Sequence, residues 1–213
     1  GDLVVGNIVG SETAQITLAI AIVALISPIV ADRRNVLTYG SAMLLAMTIM
    51  LLTLDDGAIG RSEGFLMMLA YVQFVYILYT NEGGREIAEE IEGKLTPWEA
   101  APGILGGLIL VVVGSHVMVT NGAALALVVG VPEYTIGLLT GLGTTVPEIA
   151  IAGLAARTGQ QDISVGSLLG SNITDPVFSL GIGAVFFDVT VGEPGQVLVS
   201  AAYLLVVSVV VLG

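Results

Sequence analysis

The chain has 213 residues, 55% of them hydrophobic and 11% charged, with a formal net charge of −12 at pH 7 and a mean hydropathy of +0.96. A soluble domain carries about 25% charged residues, so this composition excludes a water-soluble globule and makes lipid the solvent, while the negative charge argues against nucleic-acid binding. Cysteine is absent, which excludes disulfides.

A membrane helix needs about 20 apolar residues. Seven segments qualify in chain order: about Val4 to Val30, Val36 to Leu54, Phe65 to Thr80, Pro102 to Thr120, Val131 to Ala156, Ile163 to Phe187, and Val197 to Leu212. The fold class expected is therefore an all-α membrane protein. One long polar stretch, Asn81 to Glu99, separates the third span from the fourth and carries much of the acidic charge; Arg85 to Lys94 within it is patterned as a short surface helix. Arg33 and Arg34 follow the first span, Arg85 and Lys94 the third, and Arg157 the fifth, whereas Arg61 alone lies on the opposite side. The positive-inside rule makes the former side cytoplasmic. The first span then runs inward and the 81–99 loop is cytoplasmic.

Two segments read alike. Asp2 to Gln15 and Asp162 to Asp175 share Asp, Val, Gly, Gly and Ser without a gap, at Asp2, Val5, Gly6, Gly10, Ser11 and at Asp162, Val165, Gly166, Gly170, Ser171. A shared small-residue packing face is the plainer explanation, but the matching flanks favour a true repeat. Five crossings separate the copies, so they traverse the membrane in opposite directions. Inverted repeats are a hallmark of secondary transporters, whose sites lie near the midplane on interrupted helices.

The fifth span contains Thr140-Gly141-Leu142-Gly143-Thr144-Thr145-Val146-Pro147-Glu148. A charge at the bilayer centre costs about 2.5–3.5 kcal/mol on insertion scales, so Glu148 needs a reason to be there. Pro147 offers no N–H to the Gly143 carbonyl, which leaves a carbonyl, two hydroxyls and a carboxylate within about a turn and a half. The sixth span repeats the chemistry: Asp175 lies mid-span before Pro176, which frees the Asn172 carbonyl, and Ser171 stands one turn earlier on the same face. Both sets offer hard oxygen ligands, suited to calcium, sodium or magnesium. No basic residue lies in any span core, so an ion pair does not account for the acids; a proton relay remains open for each. For Thr144 and Thr145 the alternative is back-bonding to their own helix, and for Gln15 a bridge between helices. Glu12 lies near the start of the chain at unclear depth. His116 in the fourth span reads as a packed interior histidine, and the methionines and tyrosines of the second and third spans as core and interface residues.

At these residues the sequence resembles the calcium/cation antiporter superfamily, the sodium/calcium exchanger type. Its members carry two inverted α-repeats, each with a G-T-S-x-P-E stretch followed on the next helix by G-N-x-x-G-S-N-x-x-D/N. Gly143 to Glu148 and Gly170 to Asp175 match the second repeat closely; Gly6-Asn7 through Gly10-Ser11 matches the second half of the first. The resemblance implies Glu148 and Asp175 as cation-binding carboxylates, with oxygens from Thr144, Thr145 and Ser171, and Ser11 and Gln15 as first-repeat counterparts. It also implies calcium and sodium as transported ions, no cofactor, and a transporter and not an enzyme, in the plasma membrane of a prokaryote. Two departures stand out: Glu12 replaces the motif's Asn, and Gln15 resembles the calcium/proton branch.

The expected organisation is residues 1–80 as the second half of the first repeat plus two helices, 81–99 as the cytoplasmic loop, and 100–213 as a second half containing a complete repeat at 131–187. Ten helices are implied for the family, so both ends read as cut, with a Gly-Thr-Ser-x-Pro-Glu-like stretch expected within about 30 residues before Gly1 by symmetry. The function expected is calcium/sodium antiport, with calcium/proton antiport as the alternative. An intramembrane aspartyl protease would need paired aspartates where this chain has Glu148 beside a proline, and a non-transporting scaffold leaves the buried acids unexplained.

Overall fold

Lipid offers no partner to a bare peptide group, so each spanning segment must satisfy its own N–H and C=O groups, and helices result. The computed structural model describes residues 1–28, 33–81, 97–159 and 161–212. Helix α1 (Asp2–Ala14) continues through a π-turn (Gln15–Ala19) into α2 (Ile20–Ile26). Helices α3 (Arg33–Thr53) and α4 (Arg61–Asn81) are joined by a turn bearing β1 (Ala58–Ile59). Helix α5 covers Pro97–Val129, and α6 (Glu133–Thr144) and α7 (Val146–Arg157) meet at Thr145. Helix α8 (Gln161–Thr174), a second π-turn (Asp175–Ser179) and α9 (Leu180–Phe186) lead through β2 (Val189–Thr190) to α10 (Pro194–Leu212).

Six of these runs are long and apolar enough to cross a membrane; the unbroken helical path Gln161–Phe186 corresponds to the remaining span expected from the sequence. The fourth span is longer than the sequence suggests. It passes through Asn121 and Gly122 to Val129 and tolerates Pro102 inside the helix. It stops at Gly130, whose φ of +74° suits a residue without Cβ; the N–H groups of Gly130 and Val131 both bond the Ala126 carbonyl, at 2.9 and 3.2 Å. The surface helix expected at Arg85 to Lys94, and residues 82–96 of the acidic loop, lie outside the described residues.

The repeat is carried into the backbone. From the π-turn onward each bound of the second copy falls 160 residues after its counterpart: Gln15 and Asp175 open the π-turns, Ile20 and Leu180 open the next helices, and Ile26 and Phe186 end them. In both copies the bond closing the π-turn reaches five residues back, from the Ile20 N–H to the Gln15 carbonyl and from the Leu180 N–H to the Asp175 carbonyl. Both copies then leave the helix through an extended residue, Ser27 and Phe187.

Strand β1 pairs antiparallel with β2, Ala58 opposite Thr190 and Ile59 opposite Val189. The Gly192 N–H donates to Asp2 Oδ1 at 2.9 Å. The α3–α4 turn, the α9–α10 turn and the start of α1 therefore share one end of the bundle, as the alternation of spans requires.

Helices α1 and α6 make the most extensive contact in the molecule. Gly6 and Gly10 face Gly137 and Gly141, and a Cβ on any of them would run into backbone of the other helix. Small residues four apart on both partners allow such close approach. Gly166 and Gly170, the repeat counterparts of Gly6 and Gly10, have nothing within 4 Å of the Cβ position. The main core gathers Val5, Ile8 and Ile16 with Met43, Met47 and Met50 of α3, Met67 of α4, and Ile173 and Val177, so these methionines are core residues. The Tyr71 ring lies against Phe178 with centroids 4.8 Å apart. Helix α5 buries none of its most apolar stretch, and Ile104, Leu110 and Leu127 stand exposed; a helix apolar on every side belongs in lipid. His116, expected to be packed inside, is exposed on α5.

Candidate cation site

The two interrupted helical runs meet at the site. Ser11 and Glu12 at the end of α1 and Gln15 at the start of the π-turn lie within about one turn of each other, so they present neighbouring faces. Ser11 and Gln15 are buried, and Glu12 is 0% exposed. The chain breaks at Thr145 (φ −79°, ψ −14°), where α6 ends and α7 begins. Pro147 sits in the first turn of α7, where a missing N–H costs least. Glu148 follows in the same turn, with its carboxylate toward the positive end of the helix.

Both threonines back-bond to the Gly141 carbonyl, Thr144 Oγ1 at 3.1 Å and Thr145 Oγ1 at 2.8 Å. The back-bonding foreseen as the alternative is thus present, and each hydroxyl keeps lone pairs for a further partner. Thr145 Oγ1 also reaches the Ser11 carbonyl at 3.3 Å, which ties the break in one repeat to the motif of the other. Asn7 Nδ2 adds contacts to Thr140 Oγ1 at 3.2 Å and Thr144 Oγ1 at 3.4 Å.

Across the repeats, Gln15 Oε1 accepts from Ser171 Oγ and from Asn172 Nδ2, both at 2.7 Å. Gln15 is thus an interhelical bridge here. Asp175 opens the second π-turn, half-buried, and its Oδ1 accepts from Ser179 Oγ at 3.2 Å. The Asp175 carboxylate interacts electrostatically with those of Glu148 and Glu12. Glu148 Oε2 is shut off from solvent with no hydrogen-bond partner.

The predicted residues thus come together in two linked groups, Ser11 with Thr145 and Gln15 with Ser171, with the acids Glu148 and Asp175 alongside. Among the described residues no three His, Cys, Asp or Glu side chains converge closely enough to hold an ion by themselves, so an ion here would need neutral oxygens as well. Sequence reasoning left out Asn7 and did not place Glu12, whose two carboxylate oxygens are buried without any donor. The repeat pairs Glu12 with Asn172, which the structure also buries, at 0% exposed.

The family model described as "Sodium/calcium exchanger protein" matches residues 1–80 and 100–213. The chain belongs to the sodium/calcium exchanger family. Inner membrane protein YrbG of Escherichia coli is 31% identical over 98% of this chain and 67% of its own length. Putative antiporter CaxA of Alkalimonas amylolytica is 28% identical over 86% of this chain and 60% of its own. Among solved structures, the sodium-calcium exchanger NCX_Mj superposes with a TM-score of 0.63 at 25% identity, over 99% of this chain and 67% of that one. The chain therefore spans about three fifths to two thirds of the length of these relatives. Family, helical bundle and apolar spans agree on an integral membrane protein.

Proposed function

We propose that this chain supplies the core of a secondary antiporter that exchanges calcium for sodium by alternating access. The observation that carries the proposal is that Glu148 and Asp175 each stand where a helical run is interrupted, Glu148 Oε2 buried with no hydrogen-bond partner, with no basic side chain among the buried described residues. Two carboxylates match the charge of one calcium ion. Thr144, Thr145 and Ser171, with Ser11 and Gln15 from the first repeat, supply the neutral oxygens that calcium needs to reach six or more ligands. Sodium ions take the same oxygens in the alternative state, and this competition couples the two fluxes. In this reading residues 1–80 are the second half of the first repeat plus two helices, 100–213 is the second half of the transporter with the complete repeat at 131–187, and the 81–99 connection faces the cytoplasm of a prokaryotic cell.

Gln15 favours a second reading, calcium/proton exchange, in which one of the acids carries the proton. Uptake of calcium-45 into vesicles separates the two. Uptake driven by an outward sodium gradient, and not by a proton gradient, is the expected result; uptake driven by protons alone would replace the sodium reading, and no calcium uptake under either gradient would overturn both.

A further inference from the structure

Asn7 belongs to the first motif, yet the exchange reading leaves it without a role. It lies on α1 where that helix runs closest to α6. A Cβ on Gly137 would stand 2.9 Å from the Asn7 nitrogen, and one on Gly141 would stand 2.6 Å from the Asn7 carbonyl oxygen. The Asn7 backbone is therefore seated between these two glycines, and its side chain reaches the last turn of α6. There its Nδ2 donates to Thr140 Oγ1 at 3.2 Å and to Thr144 Oγ1 at 3.4 Å. The two threonines are four residues apart, so they share one helix face. An amide carries two hydrogens, one for each hydroxyl.

Each hydroxyl sends its own hydrogen back along α6, Thr140 Oγ1 to the Gly137 carbonyl at 2.9 Å and Thr144 Oγ1 to the Gly141 carbonyl at 3.1 Å. A hydroxyl has one hydrogen and two lone pairs. At Thr144 the hydrogen goes to Gly141 and one lone pair to Asn7, so a single lone pair is left. A cation takes a hydroxyl oxygen through such a lone pair. The Gly141 carbonyl cannot fix that orientation well by itself. It also accepts from Thr145 Oγ1 at 2.8 Å and from the Thr145 N–H at 3.2 Å, so three donors share an oxygen with two lone pairs. The repeat places Ser167 where the first copy has Asn7. Serine has one hydrogen to give, so the second repeat cannot copy the two-pronged contact.

We propose that Asn7 is a positioning residue for the cation site, holding the Thr144 hydroxyl with a lone pair, and not its hydrogen, presented to the ion. The proposal rests on the exchange reading for the assignment of Thr144 as a ligand. Asn7 acts through that hydroxyl and does not touch the ion.

The test is equilibrium binding of calcium-45 to the purified protein in detergent, read as half-saturating concentration and as sites per chain. Asn7→Leu keeps the volume and removes both donors. It should raise the half-saturating concentration about fivefold, the scale of one neutral hydrogen bond, with sites per chain unchanged. A merely structural role would lower the sites and leave the concentration as it was. Thr144→Val should weaken binding at least as much. Adding Asn7→Leu to Thr144→Val should cost nothing further, because both changes remove the same contact. Where Asn7→Leu gives no folded protein, Asn7→Ser, which copies the second repeat, takes its place in both comparisons. An unchanged concentration in the Asn7 variant, a loss confined to sites per chain, a Thr144→Val variant that binds as wild type, or full additivity of the two changes each overturns the proposal. Binding weakened by Thr144→Val and untouched at Asn7 sinks the Asn7 role alone, whereas wild-type protein that binds no calcium sinks the exchange reading and this proposal with it.

Discussion

The Ser171 hydroxyl donates to the Gln15 side-chain oxygen at 2.7 Å, joining the serine of one repeat to the residue that, in the other repeat, corresponds to Asp175. Asn172 donates to the same oxygen, so Gln15 holds α1 and α8 together at the start of the first π-turn. Gln15→Leu should remove both bonds while keeping the volume. Ser171 and Asn172 keep contacts to carbonyls of their own helix, so the expected loss is about 1–2 kcal/mol, read as a lowered thermal midpoint in detergent. An unchanged midpoint would show that the bridge carries no stability.

Glu148→Gln and Asp175→Asn should each reduce calcium exchange to background while the protein stays folded and inserted. The acids are proposed to carry the charge of the transported ion, and an amide keeps the shape but not the charge. Glu193→Gln, at an exposed acid in the α9–α10 turn, should leave flux unchanged. Exchange at the wild-type rate in either site variant would refute the assignment.

Gly10→Ala should be among the most damaging small substitutions in the chain. A methyl there meets the Leu138 backbone, which cannot give way as a flexible side chain would. Overpacking of this kind costs about 1–3 kcal/mol. Gly137→Ala, on the opposite side of the same contact, should behave alike. Size-exclusion profile and thermal midpoint would show it, and two wild-type-like variants would mean that α1 and α6 do not meet through their glycines.

Single cysteines at Thr158 and Glu193 should react with impermeant reagents from opposite sides of the membrane, Thr158 from the cytoplasm. This chain has no cysteine of its own to interfere. The split of basic residues sets the absolute orientation, and the β1–β2 pair independently puts the Glu193 turn with the α3–α4 turn. Labelling of both positions from one side would contradict the span count.

Spans, repeat and helix break were legible because each has a local cause. Length and apolarity fix a span, Pro147 marks the interruption before Glu148, and the shared glycines and serines expose the duplication. The π-turns were not legible. Pro176 lies in the second, but Ile16 occupies the same place in the first, so proline is not their common cause and no residue type announces them. Glu12 escaped because depth depends on what packs over it, and periodicity alone cannot supply that. The sequence reading ended the fourth span at Thr120; the helix continues through Asn121 and Gly122, with Asn121 Nδ2 bonding back to the Val117 carbonyl at 2.7 Å. His116 was misplaced for a related reason. A histidine in an apolar run suggests enclosure, yet α5 offers no enclosed face.

The paired π-turns make each spanning run a helix of two phases. A π-turn holds one residue more than the α-turn it replaces, and one residue is about 100° of rotation at 3.6 residues per turn. The buried face of α1 and that of α2 are therefore not continuous in ordinary helical numbering, and the same holds for α8 and α9. Removing a single residue from Gln15–Ala19 would give a more regular helix, with every backbone bond four residues back, and would at the same time swing Val23 away from Ala152 and Leu168, the core it now joins. The irregular turn is what keeps two otherwise incompatible faces in one span, and the duplication preserved that offset in both halves although the residues beneath it changed.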